Sequence, residues 1–223
     1  MDAKALFLEG FYVERANYAG FSSRDIRAGG KVSKANPNKE DELWWLANGP
    51  AMVQRWIDWR KQSDWEIWRT PDGKPGIELA LEPMFGRHQV KMVIDRVFVT
   101  NTGARVVVDL KSGSRTPDSD LQLAFYAAGI QKIYDINVPY GAYWDARKGE
   151  MSQIQPIGRL TLPLITYWID KYVEAKEHGV FLPHISNLCR ACGVNRYCVA
   201  YGGKSADRDP DIKRAFNETN IPF

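Results

Sequence analysis

The fold class that the sequence predicts is α/β: a mixed central β-sheet flanked by helices, followed by a cysteine-containing C-terminal segment. Three observations lead there. Runs rich in β-branched residues, punctuated by Pro, Gly and Asn, recur between residues 77 and 157. Apolar stripes at helical spacing lie before, among and after those runs. The composition, 44% hydrophobic and 12% aromatic over 223 residues, is rich enough to fill a substantial core.

The first 40 residues carry no clear period; Lys31, Lys34 and Lys39, with Gly29, Gly30 and Pro37, suggest a mobile loop. From Asp41 to Lys61 the residues Leu43, Trp44, Leu46, Met52, Val53, Trp56, Ile57 and Trp59 fit a helical region, expected to be interrupted near Gly49-Pro50. Strands are expected at Ile77 to Leu81, Val90 to Val99 and Arg105 to Leu110. Asp118 or Ser119 then caps a helix through Leu121, Phe125 and Ala128 towards Tyr134. Further strands are expected at Ile136 to Trp144 and Met151 to Ile157. A last helix starts near Thr161 to Pro163 and ends at Gly179, with Ile165, Trp168, Ile169, Tyr172 and Val173 as its apolar stripe. The resulting order, α-β-β-β-α-β-β-α, is that of helices packed on a mixed sheet.

Charge and targeting signals limit the function classes. Thirty Lys and Arg against 27 Asp and Glu give a formal charge of +3, which permits a nucleic-acid partner without requiring one. No run approaches the ~18 apolar residues that span a bilayer, and the N-terminus does not read as a secretion signal. A soluble, cytoplasmic protein without a membrane partner is expected.

The chemistry concentrates in KMVIDRVFVTNTGARVVVDLKSG. If Asn101-Thr102-Gly103 forms a three-residue loop with Gly103 at positive φ, Thr100 faces Ala104 and Asp95 pairs with Asp109. Carboxylates on paired positions, with Cβ atoms about 5 Å apart, repel each other unless a cation or a shared proton lies between them. Alternation puts Lys111 on the face of Asp109 and sends Val106, Val108 and Leu110 to the other. Such hard oxygen donors suit Mg²⁺ or Mn²⁺, with Lys111 beside the attacking water. Glu78 on the preceding strand is the third candidate carboxylate, and Glu82, of the same parity, is the fallback. An acidic-x-Lys triplet alone carries little, since about one or two arise by chance in such a chain. The hairpin and the helix behind it give the triplet its weight.

That helix places Gln122 and Tyr126 on one face. Ile-Asp-Arg, Val-Val-Asp-Leu-Lys-Ser-Gly and Gln-Leu-Ala-Phe-Tyr together resemble the PD-(D/E)XK nuclease superfamily, and within it the RecB-like branch that includes CRISPR-adaptation and phage exonucleases. The resemblance runs from about Glu78 to Tyr126 and resumes at the C-terminal cysteines. It implies a restriction-endonuclease-like core, catalytic metal on Asp95 and Asp109, Lys111 serving the water, Glu78 assisting, and Gln122 and Tyr126 helping to hold substrate. It also implies DNA, as single strands or duplex ends, as the substrate of a metal-dependent exonuclease. On this reading residues 1–203 form one nuclease domain, with a helical N-terminal region (1–70), a catalytic core (71–160) and a C-terminal helix and cysteine segment (161–203); residues 204–223 form a tail. A helicase, recombinase or adaptation-complex partner fits the same resemblance, as does the host cytoplasm if the protein is phage-encoded.

Two departures from the pattern stand out. The branch often carries a histidine ligand in Gly-x-x-x-His on an early helix, where this chain has Gly49-Pro50-Ala51-Met52-Val53-Gln54. None of His88, His178 and His184 replaces it in sequence, although Gln54 offers an amide oxygen. The three cysteines, Cys189-x-x-Cys192-x5-Cys198, have the spacing of thiolate ligands for iron-sulfur or zinc. Relatives use a similar stretch with a fourth, upstream cysteine to hold a four-iron four-sulfur cluster. Here no upstream cysteine exists, which leaves His184, solvent or nothing as the fourth ligand.

Six of the eight tryptophans, Trp44, Trp45, Trp56, Trp59, Trp65 and Trp68, crowd into one stretch beside Arg55, Arg60, Lys61 and Arg69. Most are expected in the core, with one or two on a substrate channel. Two other classes compete with the enzyme: a catalytically weak nucleic-acid-binding subunit of a helicase or recombination complex, and a redox or metal-storage protein built on the cysteines.

Overall fold

The computed structural model describes residues 2–20, 40–114, 117, 119–180, 184–186, 189, 192, 195 and 198. Two compact units divide the chain: Met1–Gly20 with Trp45–His178, and Phe21–Trp44 with Gly179–Phe223. The elements in chain order are α1 (Ala3–Asn17), α2 (Glu42–Gln62), β1 (Glu66–Ile67), β2 (Ile77–Leu81), β3 (Met84–Phe85), β4 (His88–Gln89), β5 (Met92–Val99), β6 (Arg105–Lys111), α3 (Leu121–Tyr134), β7 (Tyr140–Asp145), β8 (Glu150–Met151), β9 (Gln155–Pro156) and α4 (Leu162–Glu177).

Helix α1 has no counterpart in the expected order. Asp2 starts it by accepting a hydrogen bond from the Lys4 amide at 2.9 Å. Only Ala3 is fully buried, with Phe7, Leu8 and Phe11 half-buried along its side, while Leu6, Tyr12 and Val13 face outward, so apolar residues on both faces blur the period that makes a helix legible. Helix α2 runs through Gly49-Pro50 without the expected interruption. Proline costs it a backbone hydrogen bond. Gly49, however, lies so close to Phe7 of α1 that a Cβ would come within 2.0 Å of the ring. The Gly-Pro pair therefore marks a close approach between helices.

Strands β1, β5, β6, β7 and β8 follow one another across a seven-stranded sheet, with β2 also on β5 and β9 also on β7; β3 and β4 pair separately. The β5–β6 hairpin is antiparallel, whereas β6 and β7 are parallel and joined through α3, which makes the sheet mixed as expected. The strand expected from Val90 begins at Met92. The strands expected at Ile136 to Trp144 and Met151 to Ile157 are observed as β7, starting at Tyr140, and as two short pieces, β8 and β9. Between those pieces Ser152 Oγ accepts the Tyr143 amide at 2.9 Å, so a side chain replaces a rung of the ladder.

Both sheet faces of the first unit are covered. On one face α3 and α4 pack over Leu79, Val97, Val107 and Tyr143. On the other, Trp56 and Trp59 of α2, with Trp65, pack over Phe98, Val106, Val108, Ala142 and Trp144. Truncating a buried aromatic such as Phe98 or Trp144 is expected to cost about 3–5 kcal/mol. In α4 the buried line is Ile165, Ile169 and Val173, whereas Trp168 and Tyr172 are 38% and 68% exposed, on the rim of the expected stripe. Gly179 follows the helix at φ +68°, as a C-terminal glycine should. No described helix is long and apolar enough to cross a membrane.

In the second unit the described C-terminal residues form a chain of turns. Cys189 donates to Ser186, Cys192 to Cys189, Asn195 to Cys192 and Cys198 to Asn195, all between backbone atoms at 3.0–3.3 Å. The basic loop at 31–39, Asp118 and the tail from 204 lie outside the described residues.

Candidate active site

The site begins with the β5–β6 turn. Gly103 takes φ +81° and the Thr100 amide donates to Ala104 O at 2.9 Å, closing the expected loop. The ladder then pairs Val99 with Arg105, Phe98 with Val106, Val97 with Val107 and Arg96 with Val108. One step further along this register, Asp95 stands beside Asp109. Backbone pairing ends there, because the Leu110 amide donates to Asp95 Oδ2 at 2.8 Å. On its other edge β5 pairs with β1 at Val99 and Phe98 and with β2 from Arg96 back to Met92.

Asp109 is 2% exposed. Its Oδ2 lies 2.6 Å from Lys111 Nζ, yet this buried oxygen receives no well-directed hydrogen bond. Lys111 Nζ donates to Gln122 Oε1 at 2.9 Å, and Gln122 Nε2 donates to the Tyr126 hydroxyl at 2.8 Å. Tyr126 in turn donates to Asp109 Oδ1 at 3.4 Å, closing a ring of four side chains. Helix α3 supplies two of them, since residues four apart share a face.

Charge in this ring is out of balance. Burial pushes the Asp109 carboxyl above its ordinary range; Lys111 opposes that rise and the negative charge of Asp95 reinforces it. Tyr126 is raised too, first by burial and then by the nearby Asp109 and Asp95. Tyr143 is pushed up to about 12, chiefly by burial, with Asp109, Asp120 and Tyr126 adding to it. Asp95 adds a second negative charge beside the Asp109–Lys111 ion pair, and the buried Asp109 Oδ2 meets only that ammonium among the described residues. That donor set fits a hard divalent cation, which would complete the oxygen's coordination and offset the excess charge.

Five of the sequence-predicted residues thus come together: Asp95, Asp109, Lys111, Gln122 and Tyr126. Glu78 does not join them. The pairs Ile77–Arg96 and Leu79–Ile94 leave it level with Asp95 on the neighbouring strand. Its backbone takes φ +45°, and its carboxylate bonds to the Arg96 guanidinium at 3.1 Å. Glu82 is engaged by Gln89 and Lys91. Gln54 donates to Asp58 along α2, His88 lies 3.2 Å from Asp170, and His178 Nδ1 is 2.8 Å from Glu174 O. Among the described residues, no group of three or more His, Cys, Asp or Glu side chains is gathered for a metal ion. No disulfide joins the three cysteines, and Cys189 Sγ accepts from the Ser186 amide at 3.3 Å.

Sequence reasoning missed three participants. Tyr143 pairs with Asp109 across β6 and β7, and its ring centroid lies 5.6 Å from Lys111 Nζ. Its only trace was an aromatic in a strand of aromatics. Asp120, at the start of α3, is 4% exposed and held by both guanidinium nitrogens of Arg159. Nothing local links residues that far apart. Ser119 Oγ, rather than the Asp120 side chain, accepts the Leu121 amide, so Asp120 takes the cap position while its carboxylate serves Arg159. Arg96 joins Glu78 to the site by also donating to Asp95 O.

The sequence profile of the PD-(D/E)XK nuclease superfamily matches residues 17–199. The gene 69 protein of Mycobacterium phage D29 is 26% identical over 200 residues, covering 77% of this chain and 70% of its own length. The gene 69 protein of Mycobacterium phage L5 is 27% identical over 217 residues, covering 77% of this chain and 71% of its own length.

Proposed function

The chain belongs to the PD-(D/E)XK nuclease superfamily, and from that membership, which implies a nuclease, we propose that it is a Mg²⁺- or Mn²⁺-dependent DNA exonuclease of the RecB-like branch. The observation that carries this reading is the buried Asp109, beside Asp95 and short of donors, with Lys111 fixed next to it. Asp95 and Asp109 would hold the cation, and Glu78 would assist through Arg96. A cation bound there polarises a phosphoryl oxygen and lowers the pKa of a bound water. Gln122 and Tyr126 keep the Lys111 ammonium in place, where it orients the attacking water and offsets charge on the phosphorane. The water oxygen bonds to phosphorus and releases a proton to solvent, the ester P–O bond breaks, and the departing oxygen takes up a proton from solvent. Residues 1–203 act as one nuclease domain, in the cytoplasm (of the host, for a phage-encoded protein).

A metal titration on labelled single- and double-stranded DNA tests the proposal. Cleavage that needs metal and vanishes in Asp109→Ala and Lys111→Ala supports it. Metal-independent binding without cleavage supports the second reading, a nucleic-acid-binding subunit working for a helicase, recombinase or adaptation complex. The lack of a third acid or histidine beside the aspartates, among the described residues, favours that alternative. For Cys189, Cys192 and Cys198 the spacing supports a structural zinc or iron-sulfur site, although the described residues gather no ligand group. Visible absorbance and zinc content of protein purified without oxygen separate cluster, zinc and free thiols.

A further inference from the structure

Beside the carboxylates, and within the first unit, lies a cavity of about 410 Å³ whose lining includes Phe7, Trp45, Trp56, Trp144, Arg96 and Lys111. Its walls are mostly apolar, with four aromatic side chains, and two cations line it. Arg96 stacks over Trp56 with 5.9 Å from its guanidinium carbon to the ring centroid, and Arg147 does the same over Trp45 at 5.9 Å. Trp144 is 1% exposed, and its buried Nε1–H has no hydrogen-bond partner.

We propose that this cavity is a nucleobase subsite, receiving one unpaired base of the substrate strand next to the phosphodiester held at Lys111. Two facts on the same surface select this occupant. Aromatic walls offer a stacking partner for a planar ring. Lys111 and Arg96 supply the positive charge that a flanking phosphate needs. Because Lys111 belongs to both the cavity and the Asp109 ring, base and scissile phosphate come from one nucleotide or from neighbours. A base paired within a duplex must first be unpaired and unstacked at a cost, so the subsite favours single strands or frayed ends.

This inference rests on the nuclease reading of the adjoining site, and the test separates the two. Binding of a fluorescein-labelled single-stranded 12-mer is measured by anisotropy in EDTA, with an abasic residue moved through each position; cleavage of the same oligonucleotides is followed with Mn²⁺. One abasic position is expected to weaken binding about tenfold. Trp45→Ala should bind the intact strand about as weakly and lose the position dependence, while Trp45→Phe should keep it. Position dependence without cleavage upholds the subsite and overturns the nuclease. Cleavage with every abasic position within twofold of the intact strand overturns the subsite and leaves the nuclease standing. The scan uses the unmodified protein, so it decides even if Trp45→Ala fails to fold. A free mononucleotide that competes as well as the strand, with no position dependence, also overturns the subsite.

Discussion

Asp109 and Asp120 are eleven residues apart and almost equally buried, at 2% and 4% exposure, yet their carboxyl groups shift in opposite directions. Asp120 meets the fork of Arg159, which engages both of its oxygens and holds its carboxyl below the ordinary range. Asp109 meets an ammonium out of hydrogen-bonding line, a long tyrosine bond and a second carboxylate, and burial raises it. Depth therefore does not set the role of a buried acid. A carboxylate satisfied by its own chain anchors a helix; one left short of donors is suited to an ion from outside.

The sharpest way to break this contrast is to remove each acid. Asp109→Ala is expected to lower metal-dependent cleavage on the order of 10³-fold or more, while the circular dichroism of the fold persists. Asp120→Ala should cost less than tenfold in cleavage but lower the thermal midpoint by a few degrees, since it frees the start of α3. Equal losses of cleavage in the two variants would erase the distinction.

pH sharpens the comparison next. Asp120 is lowered in the folded state, so its contribution to stability is present above the ordinary value of 3.8 and is lost as pH falls through the lowered folded value. Asp109 is raised, so its contribution is present below 3.8 and is lost as pH rises through the raised folded value. Metal-free Asp109→Asn should therefore melt higher than the parent at pH 7, with the gain vanishing below about pH 3.8. Added Mg²⁺ should raise the melting temperature of the parent and not of this variant. A parent that already melts above Asp109→Asn without metal would show that Lys111 satisfies the carboxylate by itself. The smallest effect is expected from Tyr126→Phe. Because the tyrosine bond to Asp109 is long, cleavage should fall only about two- to fivefold, measured as kcat at saturating metal.

The local features of the site were readable because their spacing is short. Asp95 and Asp109 are connected by one tight turn, and the Gly103 turn sets their register, which the ladder follows. Asp109 and Lys111 are two apart on one strand, and Gln122 and Tyr126 are four apart on one helix. Strands β2, β5 and β6 and helices α3 and α4 were readable for the same reason, each carrying its own period and punctuation. Helix α1 was not, as the exposed Leu6, Tyr12 and Val13 blur the stripe of Ala3, Phe7 and Phe11. The uninterrupted α2 was not either, because Phe7 decides what Gly49 is for.

By itself, then, the sequence determined the hairpin register, the faces of β6 and α3, and the family, all of which depend on intervals of a few residues. Tertiary structure decided the rest. Ile94 and Val97 differ in parity, yet both enter one core cluster, on either side of the point where the β2–β5 ladder is interrupted between Ile77–Arg96 and Leu79–Ile94 and Glu78 takes φ +45°. Glu78 turns to Arg96 through a backbone at positive φ, and Arg159 reaches Asp120 across the fold. Side-chain periodicity is a local property of the backbone. Which acids end up satisfied depends on partners that only packing brings within hydrogen-bonding distance.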